Sequence, residues 1–447
     1  MFTLPQPVLD FMQLFRAKGF QIYVVGGPVR NLLLGLPIDN WDFTTNATPE
    51  HILALYPDAF YHNTYGTVTV PLEIQEENFL FEVTPFRKEA EYHDGRHPSQ
   101  IEWASTVEED LARRDFTINA MAFDGETLID QFHGREHLEQ KLIVAVGDPN
   151  IRFQEDALRL MRGVRFAAQF GFFIEPNTRA ALEKNAELIT RISWERIRDE
   201  LLKILASPHP SEGVLFLRNT HLLHFILPEL DVCFEVPQKS PKRHHIYDVG
   251  THLVQALKSC PSTDPITRFA TLIHDIGKAR TFRKDPNTDL ITFYNHEVVG
   301  ARQAQEIAKR FRLSKEQSDK FVRLVKYHQF TVSELQTDKA IRRFIREVGI
   351  EYLDDMMALR TGDRIGSGAT PTSWRFELFK KRLEEVQQEP FKVTDLKITG
   401  NDVMQITKIN PGPQVGILLN KLFEEVEAGI LKNEKEALVA RLKELHS

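Results

Sequence analysis

The stretch from Tyr23 to Ala47 limits the possible folds more than any other: an apolar run, two glycines, a proline-led helical segment, then an extended run bearing acids. Ile22, Tyr23, Val24 and Val25 predict a buried strand, and Gly26 and Gly27 let the backbone approach an anion closely. Pro28 to Leu34 predict a helix whose N-terminus favours negative charge, with Arg30 as a fixed cation. Asp42 lies two residues after Asn40, so alternation along a strand sends both side chains to one face and Trp41 and Phe43 to the other. Glu82, in the alternating run NFLFEVTPF, is placed to complete a carboxylate cluster. Such a cluster suits two Mg²⁺ ions roughly 4 Å apart, which activate an attacking hydroxyl and stabilise a leaving pyrophosphate. A glycine turn beside solvated strand acids is the plainer alternative, because glycine-rich loops alone are weak evidence.

With 447 residues the chain has room for two or three domains, and its 42% hydrophobic and 27% charged content is that of a globular protein. The apolar runs near Leu32 and Leu215 fall short of a membrane span, and the N-terminus lacks a basic region followed by an apolar stretch. A cytoplasmic protein with no membrane partner is expected, as a monomer or homodimer. Cys233 and Cys260 are too few for a disulfide framework or a cysteine-rich zinc site. A net charge of −7 argues against broad duplex binding, leaving local basic runs, RRFIRE at 342–347 and FKKRLEE at 379–385, as candidate phosphate contacts or solvated helix faces.

The first 150 residues mix strands (VVGG, WDFTT, TVTVPL, FLFEVT, MAFDG) with helices beginning near Pro49 and Val107. Between Phe86 and Trp103 a charged, histidine-bearing stretch without periodicity predicts a loop able to fold over substrate, or a plain surface loop. From Phe153 the periodicity is helical, with joints near 208–213, 237–245 and 364–373. Glu155, Asp156 and Arg159 form an EDxxR pattern that puts Asp156 and Arg159 on one helix face. Ionised Asp accepts and Arg donates, so the pair matches the edge of cytosine or adenine and leaves uracil or guanine unpaired. An intrahelical salt bridge is the alternative. Arg162 and Arg165 extend the spacing as a ladder of cations.

These motifs, in order, resemble the class II tRNA nucleotidyltransferases, the enzymes that add CCA to tRNA 3′ ends. GGPVR at 26–30 with NWDFTTNATPE at 40–50 resembles the catalytic motif of that family, and FEVTPFR at 81–87 its third-carboxylate strand. RRDFTINAMA at 113–122 resembles the ribose-selecting motif, residues 146–172 the hinge and base-selecting helix, and ISWERIRDELLKIL at 192–205 the helix that follows. The resemblance implies phosphate binding at Gly27 and Arg30 and nucleotide or ribose contacts from Arg113, Asp115 and Asn119. It also implies base selection by Asp156 and Arg159, with tRNA, CTP and ATP as partners. Two positions depart from it: Asn40 replaces the first metal-binding carboxylate and Asn31 the usual aspartate after VR. A neutral amide is a poorer Mg²⁺ ligand, which weakens one metal position.

Downstream, HHIYDVGTHLVQAL at 244–257, LIHDIGKAR at 272–280 and ALRTGDRIG at 358–366 resemble an HD domain. His252, His274, Asp275 and Asp363 offer two imidazoles and two carboxylates, suited to Mg²⁺, Mn²⁺, Ni²⁺ or iron. His296 and His328 are candidates for a second ion. Bound metal would support phosphomonoesterase or cyclic phosphodiesterase chemistry, and the alternative is a scaffold facing tRNA.

The expected fold is α+β: a polymerase-β-like nucleotidyltransferase head (1–150), an all-α neck (151–210), a helical HD-containing body (211–370) and a helical tail (371–447) reaching the tRNA elbow. The expected activity is addition of C, C and A from CTP and ATP, with Asp42, Glu82 and the weakened Asn40 as the Mg²⁺ site. The rivals are an A-adding, CC-adding or poly(A) polymerase, an RNA phosphatase or cyclic phosphodiesterase, and a noncatalytic tRNA binder.

Overall fold

The computed structural model describes residues 3–61, 66–74, 77–89, 101–238, 247–387, 393–427 and 430–446. Its first part is built on strands β1 (Ile22–Val25), β2 (Trp41–Thr45), β3 (Phe60–Tyr61), β4 (Val68–Ile74), β5 (Glu77–Pro85), β6 (Arg87–Glu89), β7 (Ile101–Trp103), β8 (Ala122–Phe123) and β9 (Leu128–Ile129). Seven of these form one mixed sheet in the order β3-β4-β5-β2-β1-β8-β9, in which only β2 and β5 run parallel. Strands β6 and β7 pair apart from it. Residues 90–100 of the expected substrate-covering loop lie outside the described residues.

Helices α1 (Gln6–Ala17), α2 (Gly27–Leu34), α3 (Pro49–Leu55), α4 (Val107–Ala112) and α5 (Gly134–Glu139) surround the sheet. Val8, Phe11, Met12 and Phe15 of α1 are buried, and the Phe11 ring lies 4.8 Å from Phe43 and 4.9 Å from Phe81. Period-2 alternation sends Trp41, Phe43, Phe81 and Val83 to that apolar face, where each large side chain contributes about 1.5–3 kcal/mol. The opposite face therefore carries Asp42 and Glu82.

Apart from two short strand pairs, Leu142–Ile143 with Phe173–Ile174 and Arg283–Lys284 with Ile291–Thr292, the rest is mainly helical: α6 (Pro149–Glu155), α7 (Leu158–Phe170), α8 (Pro176–Asn185), α9 (Trp194–Ala206), α10 (Pro210–Asn219), α11 (Leu222–Ile226), α12 (Pro228–Asp231), α13 (Val249–Ser259), α14 (Pro265–Ile273), α15 (Gly277–Thr281) and α16 (His296–Arg310). It continues through α17 (Lys315–Tyr327), α18 (Asp338–Val348), α19 (Leu353–Gly366), α20 (Trp374–Gln387), α21 (Gly400–Thr407), α22 (Pro413–Glu427) and α23 (Lys435–His446). Proline at N1 or N2 opens several of them, where its missing N–H costs nothing. Arg268 of α14 donates to the Leu205 and Ser207 carbonyls at the end of α9, so those two helices are fastened together.

One core runs from Leu4 to Val386, and Leu396, Ile398, Val403, Leu422, Phe423, Leu438 and Leu442 form a separate one. The basic runs carry the exposed, paired cations of a solvated helix face, Lys381 with Glu385 among them. The amphipathic period of α18 turns Arg342 inward, while Arg343 pairs with Glu347 and Arg382 with Asp338. No helix among the described residues is long and apolar enough to cross a membrane.

Candidate active site and candidate metal centre

Asp42 and Glu82 are register partners on the parallel pair β2 and β5, so their side chains stand next to each other on the sheet face away from α1. Burial and the Glu82 charge push the Asp42 carboxyl up to about 6, against the pull of Arg114 and Arg30. A pair of crowded, part-buried carboxylates fits a divalent cation. Asn40 does not share their strand. The ladder to β5 begins at Trp41, and Asp39 and Asn40 occupy an exposed bend before it, so the alternation expected to align Asn40 with Asp42 stops one residue short.

Gly26 makes the turn into α2 at φ 73° and ψ −126°, a conformation open to glycine and strained for any other residue. Gly27 opens the helix. Arg30, expected to project toward phosphate, folds back and is only 8% exposed. Its guanidinium lies 4.7 Å from the Phe170 ring centroid and donates to Asn119 Oδ1 at 2.5 Å and Asn31 Oδ1 at 2.9 Å. Burial and the neighbouring Arg165 lower its pKa to about 10. Asn119 donates in turn to Asp115 (3.3 Å), which also accepts from Arg162 Nε at 2.6 Å. Burial opposes the charge of Asp115, but Arg162 and Arg159 outweigh it and hold the carboxyl at about 2.

The base-selecting pair is arranged differently from the sequence expectation. Asp156 interrupts the helix at φ −139° and ψ 104°, so it and Arg159 are not two residues of one helix face. Its Oδ1 accepts the Leu158 N–H at 3.0 Å, because a short carboxylate competes well for the open donors at a helix start. Its Oδ2 accepts from Arg196 Nη2 of α9 at 3.1 Å. Arg159 meets Glu155 at 2.6 Å and donates to the Arg152 and Arg113 carbonyls. The expected ladder is likewise paired: Arg162 with Asp115, and Arg165 with Glu200 at 3.0 Å.

The HD residues converge. His252 Nε2 and His274 Nε2 are 3.3 Å apart, and each lies 3.4 Å from Asp275 Oδ2. Asp363 Oδ1 completes this group at 3.4 and 3.5 Å. The other oxygen of Asp275 faces His296 at 3.1 Å and His328 at 3.4 Å. Nδ1 of His274, His296 and His328 each meets a backbone carbonyl, of Thr271, Phe293 and Val325, which turns the Nε2 atoms inward. His252, His274 and Asp275 form one buried donor group and Asp275, His296 and His328 another, and either would suit a divalent cation. Burial opposes a charged His274, yet Asp275 and Asp363 raise it to about 10, whereas burial leaves His328 lowered. Gly362 and Gly366 let α19 lie against α13 beside His252: a Cβ at either would stand 2.6 Å from the Ala256 backbone.

Residues 22–144 match the family model for the Poly A polymerase head domain, and residues 283–442 match that for tRNA nucleotidyltransferase domain 2. The CCA-adding enzyme of Levilactobacillus brevis is 33% identical over 453 residues, covering 98% of this chain and 97% of that one. The chain belongs to the CCA-adding enzyme family. Its members are nucleotidyltransferases of the poly(A) polymerase-like superfamily and work with a divalent metal. The crystal structure of the Bacillus stearothermophilus CCA-adding enzyme in complex with CTP superposes at a TM-score of 0.72 and 27% identity, covering 99% of this chain and 98% of that one. An A-adding tRNA nucleotidyltransferase from Deinococcus radiodurans is 32% identical over 93% of both chains.

Within this family frame, three cations escape the sequence reading. Arg113 and Arg114 both pair with buried Asp110, at 2.7 and 3.2 Å. Arg114 stands beside Gly26 and acts on Asp42, with Nη1 2.9 Å from where a Gly26 Cβ would lie. Lys278, inside the HDIGK run, meets Asp275 Oδ2 at 2.5 Å and Gln238 at 2.7 Å. Arg360 holds Asp363 Oδ2 at 3.1 Å. The sequence signal for each is proximity: Arg114 lies between Arg113 and Asp115, while Lys278 and Arg360 each stand three residues from an expected ligand, Asp275 and Asp363.

Proposed function

We propose that this chain adds C, C and A to tRNA 3′ ends from CTP and ATP, at the head face bearing Asp42 and Glu82. The observation that carries the reading is their parallel register, set beside the Gly26 turn and the Arg114 cation. A divalent ion held there would supply Lewis-acid stabilisation of the transferring phosphoryl group and of leaving pyrophosphate. Arg114 is poised to neutralise triphosphate charge, and Asp115 to accept from a ribose 2′-hydroxyl. Asp156 and Arg159 read the incoming base after leaving their present partners, with Asp156 accepting from the amino group and Arg159 donating to the ring nitrogen. Asn40 leaves this site one acid short, so it binds its metal more weakly than a three-carboxylate site.

The test is incorporation of labelled CTP and ATP into tRNA lacking CCA, with the products sequenced. Products ending in CCA support the reading; addition of A alone, or of CC alone, replaces it with the corresponding partial activity. No incorporation by this chain but incorporation by Asn40→Asp would make the present head a tRNA-binding platform.

A second reading concerns the HD cluster. We infer that it is a dinuclear phosphohydrolase centre, supported by four buried imidazoles aimed at Asp275 and Asp363. Water would add to phosphorus while the ester oxygen departs with a proton. Lys278 and Arg360, both tied to the ligand carboxylates, are placed to hold the phosphate. Metal-dependent phosphate release, abolished by His274→Ala and Asp275→Ala, is the expected result; release that survives both substitutions rejects the reading.

A further inference from the structure

The pocket above the histidine cluster is larger than a phosphate group needs. It encloses about 550 Å³, within the size range of sites for nucleotide-sized ligands. Asp275, Asp363, His296 and His328 line it together with Lys278 and Arg360. Tyr294 also lines it, with 77% of its surface exposed.

The local backbone explains that placement. Phe293 is buried, and its carbonyl fixes the His296 ring; Asn295 takes a left-handed conformation at φ 60°; His296 then opens α16 and faces Asp275. One four-residue stretch thus turns an imidazole into the histidine–aspartate cluster and leaves a tyrosine ring standing in the wet pocket beside it. A flat aromatic face next to phosphate-binding cations is the combination by which proteins hold single nucleotides, through base stacking and charge.

We propose that Tyr294 is a nucleobase platform, so that the phosphoester taken by the HD pocket is a nucleotide, either free or at the 3′ end of an RNA. The base stacks on Tyr294 and the phosphate lies toward Lys278 and Arg360. This inference rests on the phosphohydrolase reading of the same pocket.

The test compares the manganese-loaded full chain with its Tyr294→Ala and Tyr294→Phe variants. The substrates are adenosine 2′,3′-cyclic monophosphate, an RNA oligonucleotide ending in a 2′,3′-cyclic phosphate, and glycerol 1,2-cyclic phosphate, which has no base to stack. In each, water adds at phosphorus and one ring P–O bond breaks, its oxygen taking a proton. Tyr294→Ala is expected to raise KM about tenfold for the nucleotide substrates, the loss of one stacked base. Tyr294→Phe retains the wild-type KM, and all three proteins treat the glycerol ester alike. A loss seen with RNA but not with the mononucleotide identifies the RNA end as the source. Unchanged nucleotide KM in Tyr294→Ala, or an equal rise for the glycerol ester, overturns the proposal. If the wild type hydrolyses none of them, the hydrolase reading fails and the platform is judged by binding of adenosine 2′-monophosphate: equal affinity in wild type and Tyr294→Ala rejects it.

Discussion

Arg196 of α9 donates from Nη2 to Asp156 Oδ2 over 3.1 Å, tying that helix to the break between α6 and α7. Both side chains are partly exposed, at 25% and 20%, so the pair contributes little to stability, about 0–1 kcal/mol. Its effect falls on the direction of the carboxylate. Arg196→Met is expected to raise misincorporation of UTP about five- to tenfold relative to CTP, while the melting temperature moves by about 2 °C or less. Primer-extension competition with calorimetry checks this; unchanged discrimination excludes Arg196 from base selection.

Asn40 offers a gain-of-function test. Asn40→Asp places an acid in the exposed bend that leads into β2, two residues before Asp42. CTP incorporation at limiting Mg²⁺ is expected to rise by about tenfold or more, roughly 1.4 kcal/mol, with half-saturation at lower Mg²⁺. A titration with equal metal dependence in both proteins would show that the bend keeps residue 40 away from the ion.

The carboxyl of Asp42 gives a pH dependence of defined sign. Its value rises from 3.8 to about 6 on folding through burial and Glu82, so the folded chain disfavours the ionised form. The resulting penalty, up to about 3 kcal/mol, is present above pH 6 and disappears as pH falls below the unfolded value. In EDTA, Asp42→Asn should therefore be more stable than the wild type at pH 8, with most of that advantage gone near pH 4. Thermal melts at the two pH values decide the matter.

Loading the HD centre should stabilise the folded chain. Free metal at a hundredfold excess over Kd adds about 2.7 kcal/mol, read as a higher melting temperature with Mn²⁺ or Ni²⁺ than with EDTA. The increment should vanish in Asp275→Ala, whose carboxylate serves both groups.

Gly362→Ala tests how Asp363 is delivered. The added Cβ would lie 2.6 Å from the Ala256 carbonyl oxygen, so α19 must back away from α13. A cost of about 1–3 kcal/mol and a loss of metal affinity are expected, measured by urea unfolding and metal titration.

The sequence made the head legible where period 2 and glycine chemistry act locally: β1, β2 and β5, the turn at Gly26, and the starts of α3 at Pro49 and α4 at Val107. The HD residues were legible because each lies in a short motif of known spacing. What stayed hidden depends on tertiary partners. The helical spacing of Asp156 and Arg159 says nothing of Arg196, 40 residues away, nor of the Leu158 N–H that draws Asp156 out of the helix. Burial of Arg30 needs Phe170 and Asn119, both distant in sequence, and only folding brings Arg114 rather than Arg113 to Asp42.

The carboxyl-terminal helices α21 to α23 gather around Val403, Leu422 and Leu438, a nucleus that shares no buried residue with the main core. Proteolytic trimming after Gln387 should accordingly spare the Asp42–Glu82 face and the histidine cluster, and amide exchange in those last helices should follow its own clock rather than that of the main core.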